Sequence, residues 1–410
     1  MTPTFTIPRR TLLAATAVLG ATTLGPRAGR AQSKVVKLGV LNDQSGPYRD
    51  IGGMNGVAAV KQAVAEFGAD FKVEVVSADH QNKPDIGIGI ARQWFDRDGV
   101  DIILDVPTSS VALAVNNVCK EKNKVYINTG AATGDLTGVQ CTPSTLHWSY
   151  DTYMLARSTG GAMVKAGGDK WYFVTADYVF GQQLQRDTTA FVTAAGGKVV
   201  GASPYPFPGT SDFSSFLISA QASGANVLGL ANAGADTVNS IKQAAEFGLT
   251  KKMKVAALLM FLNDVHGLGL EAAQGLFLTE SFYWDMNDRT RAFTKRFQAF
   301  MPGVCPNMTN AGNYAGALHF LKAVKALGAD KAGDGATVVA KMKSMTAEDD
   351  AFGTTVIRED GMALTPSYLF EVKKPSESKY PWDYYKMIVE TPSDAAWKPL
   401  AVGGCPLVKV

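Results

Sequence analysis

The chain has 410 residues, with 46% hydrophobic and 19% charged residues and a formal charge of +3. That hydrophobic content supports packed cores and the low charge excludes intrinsic disorder. The length favours two domains over one.

The first 31 residues read as an export segment. Ile7-Pro8-Arg9-Arg10-Thr11-Leu12-Leu13 precedes a weakly apolar run to Leu24, and small residues stand at Gly29 and Ala31. Paired arginines before such a run mark a twin-arginine signal, with an ordinary Sec signal as the alternative. The run is too short and too polar to span a membrane. No cysteine follows the expected cleavage point, which argues against lipid attachment there. The segment holds four arginines and no acid, so its removal takes the charge from +3 to −1 and the length from 410 to 379. The basicity therefore gives no support for nucleic-acid binding.

Beyond the signal, strands and helices alternate with short connections. Lys34–Asn42 reads as a strand. Ile51–Gly68 carries Ile51, Val57, Val60, Val64 and Phe67 near helical spacing. A strand over Phe71–Ala78, a helix over Asp85–Asp98, a strand over Ile102–Val106, a helix over Ser109–Lys122 and a strand over Lys124–Asn128 follow. This βαβαβαβ order implies a parallel sheet covered on both faces.

The pattern then restarts. Helices are expected over Asp151–Ala166, Phe180–Ala195, Phe213–Ser223 and Ala235–Phe247. Strands are expected over Lys170–Ala176, Lys198–Tyr205, Asn226–Ala231, Val255–Phe261 and Gly275–Glu280. Asp288–Met345 reads as helical with an opening at Met301–Asn310. Thr354–Val372 reads as two strands around Glu359-Asp360-Gly361. The fold class is α/β, with two doubly wound Rossmann-like lobes and several hinge crossovers. A cleft between such lobes suits a hinge-closing binder.

Catalytic signatures are missing from the sequence. It has no G-x-S-x-G, HExxH or P-loop, and no G-x-G-x-x-G after a strand. His80, His147, His266 and His319 are scattered and read as packing or surface residues, although Asp79-His80 ends a strand that faces the cleft. The chain is therefore read as a non-enzyme with no metal or cofactor. Cys119, Cys141, Cys305 and Cys405 form no CxxC pair, so zinc is disfavoured. An exported chain with four cysteines implies one or two disulfides, with three full pairings open.

Five segments carry a family resemblance: Lys37-Leu38-Gly39-Val40-Leu41 with Ser45-Gly46, Ala78-Asp79-His80-Gln81-Asn82, Val106-Pro107-Thr108-Ser109-Ser110, Thr129-Gly130-Ala131-Ala132-Thr133 and Asp177-Tyr178-Val179-Phe180-Gly181. In this order they resemble the periplasmic solute-binding proteins of ABC transporters, in the branched-chain amino-acid group. The resemblance implies a type I two-lobe fold. Expected boundaries are 34–152 with 281–350 for lobe I, 153–280 with 351–391 for lobe II, and 392–410 as a tail. It also implies a periplasmic monomer that delivers a small molecule to an inner-membrane ABC permease. A sensing role through a membrane receptor is the alternative.

Hydroxyls and free N–H groups at a helix start can bind an anion, while simple capping accounts for one hydroxyl. The resemblance assigns a ligand carboxylate to Ser109, Ser110, Ala131 and Thr133. Gln44, Ser45 and Tyr48 follow the first strand and are further candidates. Amino-acid-binding relatives hold the ammonium with an acid after the strand at Val255–Leu259, helped by tyrosines. Here Met260-Phe261 stands there, the loop Asn232-Ala233-Gly234-Ala235-Asp236 has no tyrosine, and Phe180 replaces the tyrosine before glycine. Asp236 and Asn232 remain as polar candidates. The expected ligand is thus an aromatic or other non-amino organic acid, walled by Tyr150, Tyr178, Phe180, Phe261 and Trp284. An amino acid is the alternative.

Overall fold

The computed structural model describes residues 1–2 and 34–409. The export-signal reading lies outside the described residues. No described helix is long and apolar enough to cross a membrane.

The first lobe contains β1 (Val36–Asn42), α1 (Gly53–Phe67), β2 (Val73–Asp79), α2 (Pro84–Gln93), β3 (Ile102–Asp105), α3 (Ser109–Lys122), β4 (Val125–Asn128) and β5 (Thr145–His147). All five strands run parallel in the order β2-β1-β3-β4-β5. β3 and β4 are buried at every position, as strands covered on both faces must be. Their continuous apolar runs follow from that burial.

The chain then enters the second lobe through α4 (Thr152–Leu155) and α5 (Gly161–Lys165), joined by one wider helical turn. There follow β6 (Lys170–Ala176), α6 (Val179–Ala194), β7 (Lys198–Tyr205), α7 (Ser214–Ala222), β8 (Val227–Ala231), α8 (Ala235–Glu246), β9 (Lys254–Ala257), α9 (Leu262–Leu268), α10 (Leu270–Ala273) and β10 (Phe277–Glu280). The strand expected to reach Phe261 ends at Ala257. Phe261 is instead the residue before α9, where Asp264 accepts its backbone N–H at 2.9 Å.

α11 (Asp288–Phe297), α12 (Met308–Leu327) and α13 (Gly335–Lys343) come next, and α12 packs back on α1 and β3 of the first lobe. β11 (Ala347–Asp349), β12 (Gly353–Ile357) and β13 (Ala363–Leu364) form a small antiparallel sheet. It touches the first lobe through a bridge between His147 and Met362. Only β14 (Ser367–Val372) and β15 (Tyr385–Thr391) join the second sheet, as its antiparallel edge. That sheet runs β15-β14-β10-β9-β8-β6-β7. The chain therefore passes between the sheets after β5, after β10 and before β14. After α14 (Ser393–Ala396) the tail returns to the first lobe, where Cys405 is disulfide-bonded to Cys141. Cys119 and Cys305 are buried free thiols.

Candidate functional site

The carboxyl ends of β1, β3 and β4 face those of β6, β8 and β9 across the cleft. Asp43, just past β1, organises the first loop. Its carboxylate accepts the N–H groups of Gly46 at 2.7 Å and Tyr48 at 2.8 Å, and the Asn82 amide at 2.7 Å. Asn82 Oδ1 in turn accepts the Thr108 hydroxyl. Thr108 precedes α3 but is spent on Asn82 and makes no side-chain cap. The first N–H groups of α3 consequently have no capping oxygen. Ser109, the first residue of α3, is fully buried and its hydroxyl has no partner. A buried donor set without partners is costly unless something else satisfies it.

The second loop of this lobe is a tight turn. Asn128 Oδ1 accepts the Ala131 N–H at 3.0 Å, and its amide donates to the Ala131 carbonyl at 2.7 Å. Thr133 caps the short turn Gly134–Leu136 by accepting the Asp135 N–H at 3.3 Å.

Beside these loops lies a tightly closed cavity of about 10 Å³, lined by Tyr48, Ile51, Pro107, Gly130, Ala132, Tyr150, Tyr178, Phe180, Ala233, Leu259 and Phe261. None of these side chains carries a charge at neutral pH. Tyr150 sits edge-on to Phe261 with ring centroids 5.7 Å apart, and its hydroxyl donates to the Gly130 carbonyl. Tyr48 and Tyr178 meet across the cleft with hydroxyl oxygens 2.6 Å apart. Phe207 stacks on both, at 4.4 Å from Tyr178 and 5.3 Å from Tyr48. Burial raises both phenols well above their ordinary pKa, so they are neutral donors at any physiological pH.

The lobes are drawn together around this cavity. The Ala235 N–H donates to the Pro47 carbonyl at 3.0 Å, and Gln183 donates to Asp135 at 2.9 Å. Asn307 donates to Asn263 at 2.7 Å.

Five of the sequence candidates share the cavity wall: Tyr48, Tyr150, Tyr178, Phe180 and Phe261. Ser109, Ser110, Ala131 and Thr133 adjoin it through Pro107, Gly130 and Ala132. The others are turned to different tasks. Gln44 bonds Asn42 at 3.2 Å, and Ser45 bonds Asp79 at 2.6 Å on the surface. Asn232 holds the start of α8 through Thr237 and Ser240. Asp236 accepts the Tyr205 hydroxyl at 2.8 Å, and burial pushes its pKa up to about 6. Trp284 donates to the Trp382 carbonyl at 2.9 Å and lines a separate surface groove with Pro381 and Trp382. His80 is buried, its Nδ1 accepts the Asn82 N–H at 3.0 Å, and burial lowers its pKa to about 4. It is a neutral structural residue. Sequence reasoning did not single out Ile51, Ala233, Leu259 or Phe207. Single apolar residues at loop starts carry no pattern that separates wall from core.

Residues 35–379 match the family model described as "Periplasmic binding protein". The chain belongs to the periplasmic binding protein family, the non-enzymatic solute-binding components of ABC transporters. It is 49% identical to a periplasmic binding protein from Burkholderia mallei, over 92% of this chain and 100% of that one, with a TM-score of 0.87. It is 38% identical to a branched chain amino acid ABC transporter periplasmic ligand-binding protein from Burkholderia xenovorans, over 91% of this chain and 99% of that one, TM-score 0.78. At 21% identity, a solute-binding protein from R. palustris solved in complex with benzoate shares the fold, over 91% of this chain and 100% of that one, TM-score 0.80. Comparison with curated proteins gives no match.

Proposed function

We propose that this protein carries a small aromatic carboxylate to an ABC permease in the inner membrane. In this reading it works as a periplasmic monomer, exported by a signal cleaved near residue 31. The observation that carries the reading is the cavity wall: eleven residues, rich in tyrosine and phenylalanine, without a charged side chain. A ligand ammonium enclosed there would lack a carboxylate, and an unpaired buried cation costs several kcal/mol. A carboxylate finds donors at the uncapped start of α3 and at the unpartnered Ser109 hydroxyl. The fold-level neighbour from R. palustris that holds benzoate is compatible with this class.

An amino-acid ligand is the second reading. Asp236 is a buried acid three residues beyond Ala233 of the wall, and the 38% identical relative is described as belonging to a branched chain amino acid transporter. Against this, Asp236 is already bonded to Tyr205. Calorimetric titration with benzoate and with leucine separates the two. Micromolar or tighter benzoate with no leucine response is expected; tighter leucine overturns the proposal.

A further inference from the structure

Two phenol protons meet at the Tyr48–Tyr178 contact, and the contact uses one. Whichever hydroxyl donates, the other keeps its own proton. Among the described residues neither oxygen has a second hydrogen-bond partner. The pair closes only when the lobes meet, since Tyr48 follows β1 and Tyr178 follows β6. Both rings line the cavity, and Phe207 lies flat against both. The closed cleft thus presents one unspent O–H and free oxygen lone pairs among the aromatic side chains of the wall.

The other polar feature of the cavity has different chemistry. At Pro107 and Gly130 the wall meets the start of α3, whose first-turn N–H groups can only donate and so suit an anion, with the unpartnered Ser109 hydroxyl beside them. Tyr150, between them, is satisfied by the Gly130 carbonyl. The tyrosine pair differs because it offers both a donor and an acceptor. A ligand hydroxyl is the group that satisfies both roles. It accepts the leftover proton from one tyrosine and donates its own to the other, so three hydroxyls form a ring with every proton used. A methyl group of similar size would leave the buried O–H unmet, and sites built to bond a hydroxyl reject analogues that lack it.

We infer that the Tyr48–Tyr178 pair is a specificity element that selects a hydroxyl-bearing aromatic acid and couples that selection to lobe closure. The inference rests on the aromatic-carboxylate reading and adds the second polar group of the solute. Because the pair spans both lobes, a matching hydroxyl strengthens the closed state itself, whereas a substituent that cannot bond weakens it.

The test is calorimetric titration of the purified protein with 4-hydroxybenzoate, 3-hydroxybenzoate, 4-methylbenzoate and benzoate, repeated on Tyr178→Phe and Tyr48→Phe. One hydroxybenzoate is expected to bind at least about tenfold tighter than 4-methylbenzoate. That ratio should fall to within about threefold in either phenylalanine variant, each of which removes one of the three hydroxyls. The two variants guard against a folding failure in one of them. Equal binding of hydroxy and methyl acids, or a ratio that survives both substitutions, overturns the inference while leaving the aromatic-carboxylate reading intact. Failure of all four acids to bind overturns both.

Discussion

Cys141 and Cys405 are bonded across 264 residues of chain, with Cα atoms 5.6 Å apart. The bridge joins the loop after Leu136, which belongs to the first lobe, to a tail that has just left the edge of the second sheet at Thr391. Non-covalent contacts support the same path. Trp397 donates to the Thr365 carbonyl at 2.8 Å, and Arg358 donates to the Lys398 carbonyl at 3.0 Å. A cross-link over so long a loop removes much unfolded-state freedom in the chain-entropy model, and native disulfides typically contribute about 2–4 kcal/mol. The double substitution Cys141→Ser with Cys405→Ser should lower unfolding stability by about that amount. Urea melts check this, and an unchanged midpoint would refute it. Cys119 and Cys305 should stay unreactive toward thiol reagents in the native state, because burial raises both pKa values, that of Cys305 to about 12.

The pH dependence of stability should have an unusual sign. Burial pushes Glu280 up to about 8 and both Asp264 and Asp151 up to about 7. Their ordinary values lie near 4. A carboxyl with a raised folded pKa is bound to its proton more tightly in the native state. Its contribution is complete below the unfolded pKa and is lost as pH rises through the folded one. Stability should therefore fall from pH 6 to pH 9. Burial lowers His80 and His147 to about 4, so their contribution is present above about 6.5 and is lost as pH falls toward 4. The two trends oppose each other between about pH 4 and 6.5, and above that only the carboxyl trend remains, so stability falls on toward about pH 8. Glu280→Gln should raise stability at pH 9 by about 1–3 kcal/mol and have little effect at pH 5, since it removes a buried charge. Thermal melts across this range decide it; a midpoint that climbs from pH 6 to pH 9 would contradict the assignment.

Much of this architecture is legible in the sequence, for reasons that differ by element. The helix read over Ser109–Lys122 is the helix found, because a buried strand, a hydroxyl-rich turn and an apolar stripe all agree there. β15 went unread because Lys386 through Glu390 are all exposed and give no inward-outward alternation. β5 is only three residues long. The segment after β9 reads as continuing strand because Leu258–Phe261 is uniformly apolar. Its burial comes from the cleft and the start of α9 and not from the sheet. The aromatic wall was readable as residue types at loop starts. The uncapped start of α3 was not, because nothing local reveals that Thr108 bonds Asn82, 26 residues away.

Ser109 offers a test that separates binding from folding. Its hydroxyl is buried and unpartnered in the closed arrangement of the lobes. Ser109→Ala removes that unmet group, so stability without ligand should hold or rise by up to ~1 kcal/mol. If the hydroxyl donates to a ligand carboxylate, affinity should fall about tenfold or more, the usual scale for a hydrogen bond to a charged group. Titration and melting on the same preparation give both signs. Ser110→Ala and Thr133→Ala should also weaken binding without unfolding the protein. Thr133→Ala additionally loses the cap on Gly134–Leu136 and should cost about 1 kcal/mol of stability. Unchanged affinity in all three would show that the anion site lies elsewhere.

Closure itself can be blocked at one atom. The Ala235 N–H donates to the Pro47 carbonyl at 3.0 Å, joining the start of α8 to the loop after β1. Ala235 is the first residue of its helix, a position where proline is well tolerated because the N–H has no partner within the helix. The preceding residue, Gly234, has φ 60° and ψ −135°, a conformation that glycine adopts at little cost. Ala235→Pro should therefore leave the second lobe folded. The proline ring, however, places a carbon where the hydrogen now points, inside the contact distance of the Pro47 oxygen. The lobes then cannot reach their present separation, and the Tyr48–Tyr178 contact fails with them. Affinity for the solute should drop about a hundredfold, since the wall contributed by the second lobe is lost. Small-angle scattering should show the wild-type protein becoming more compact on adding ligand and the variant keeping its ligand-free radius. Ligand-induced compaction of the variant, with wild-type affinity, would mean that the bound state does not use the Pro47–Ala235 contact.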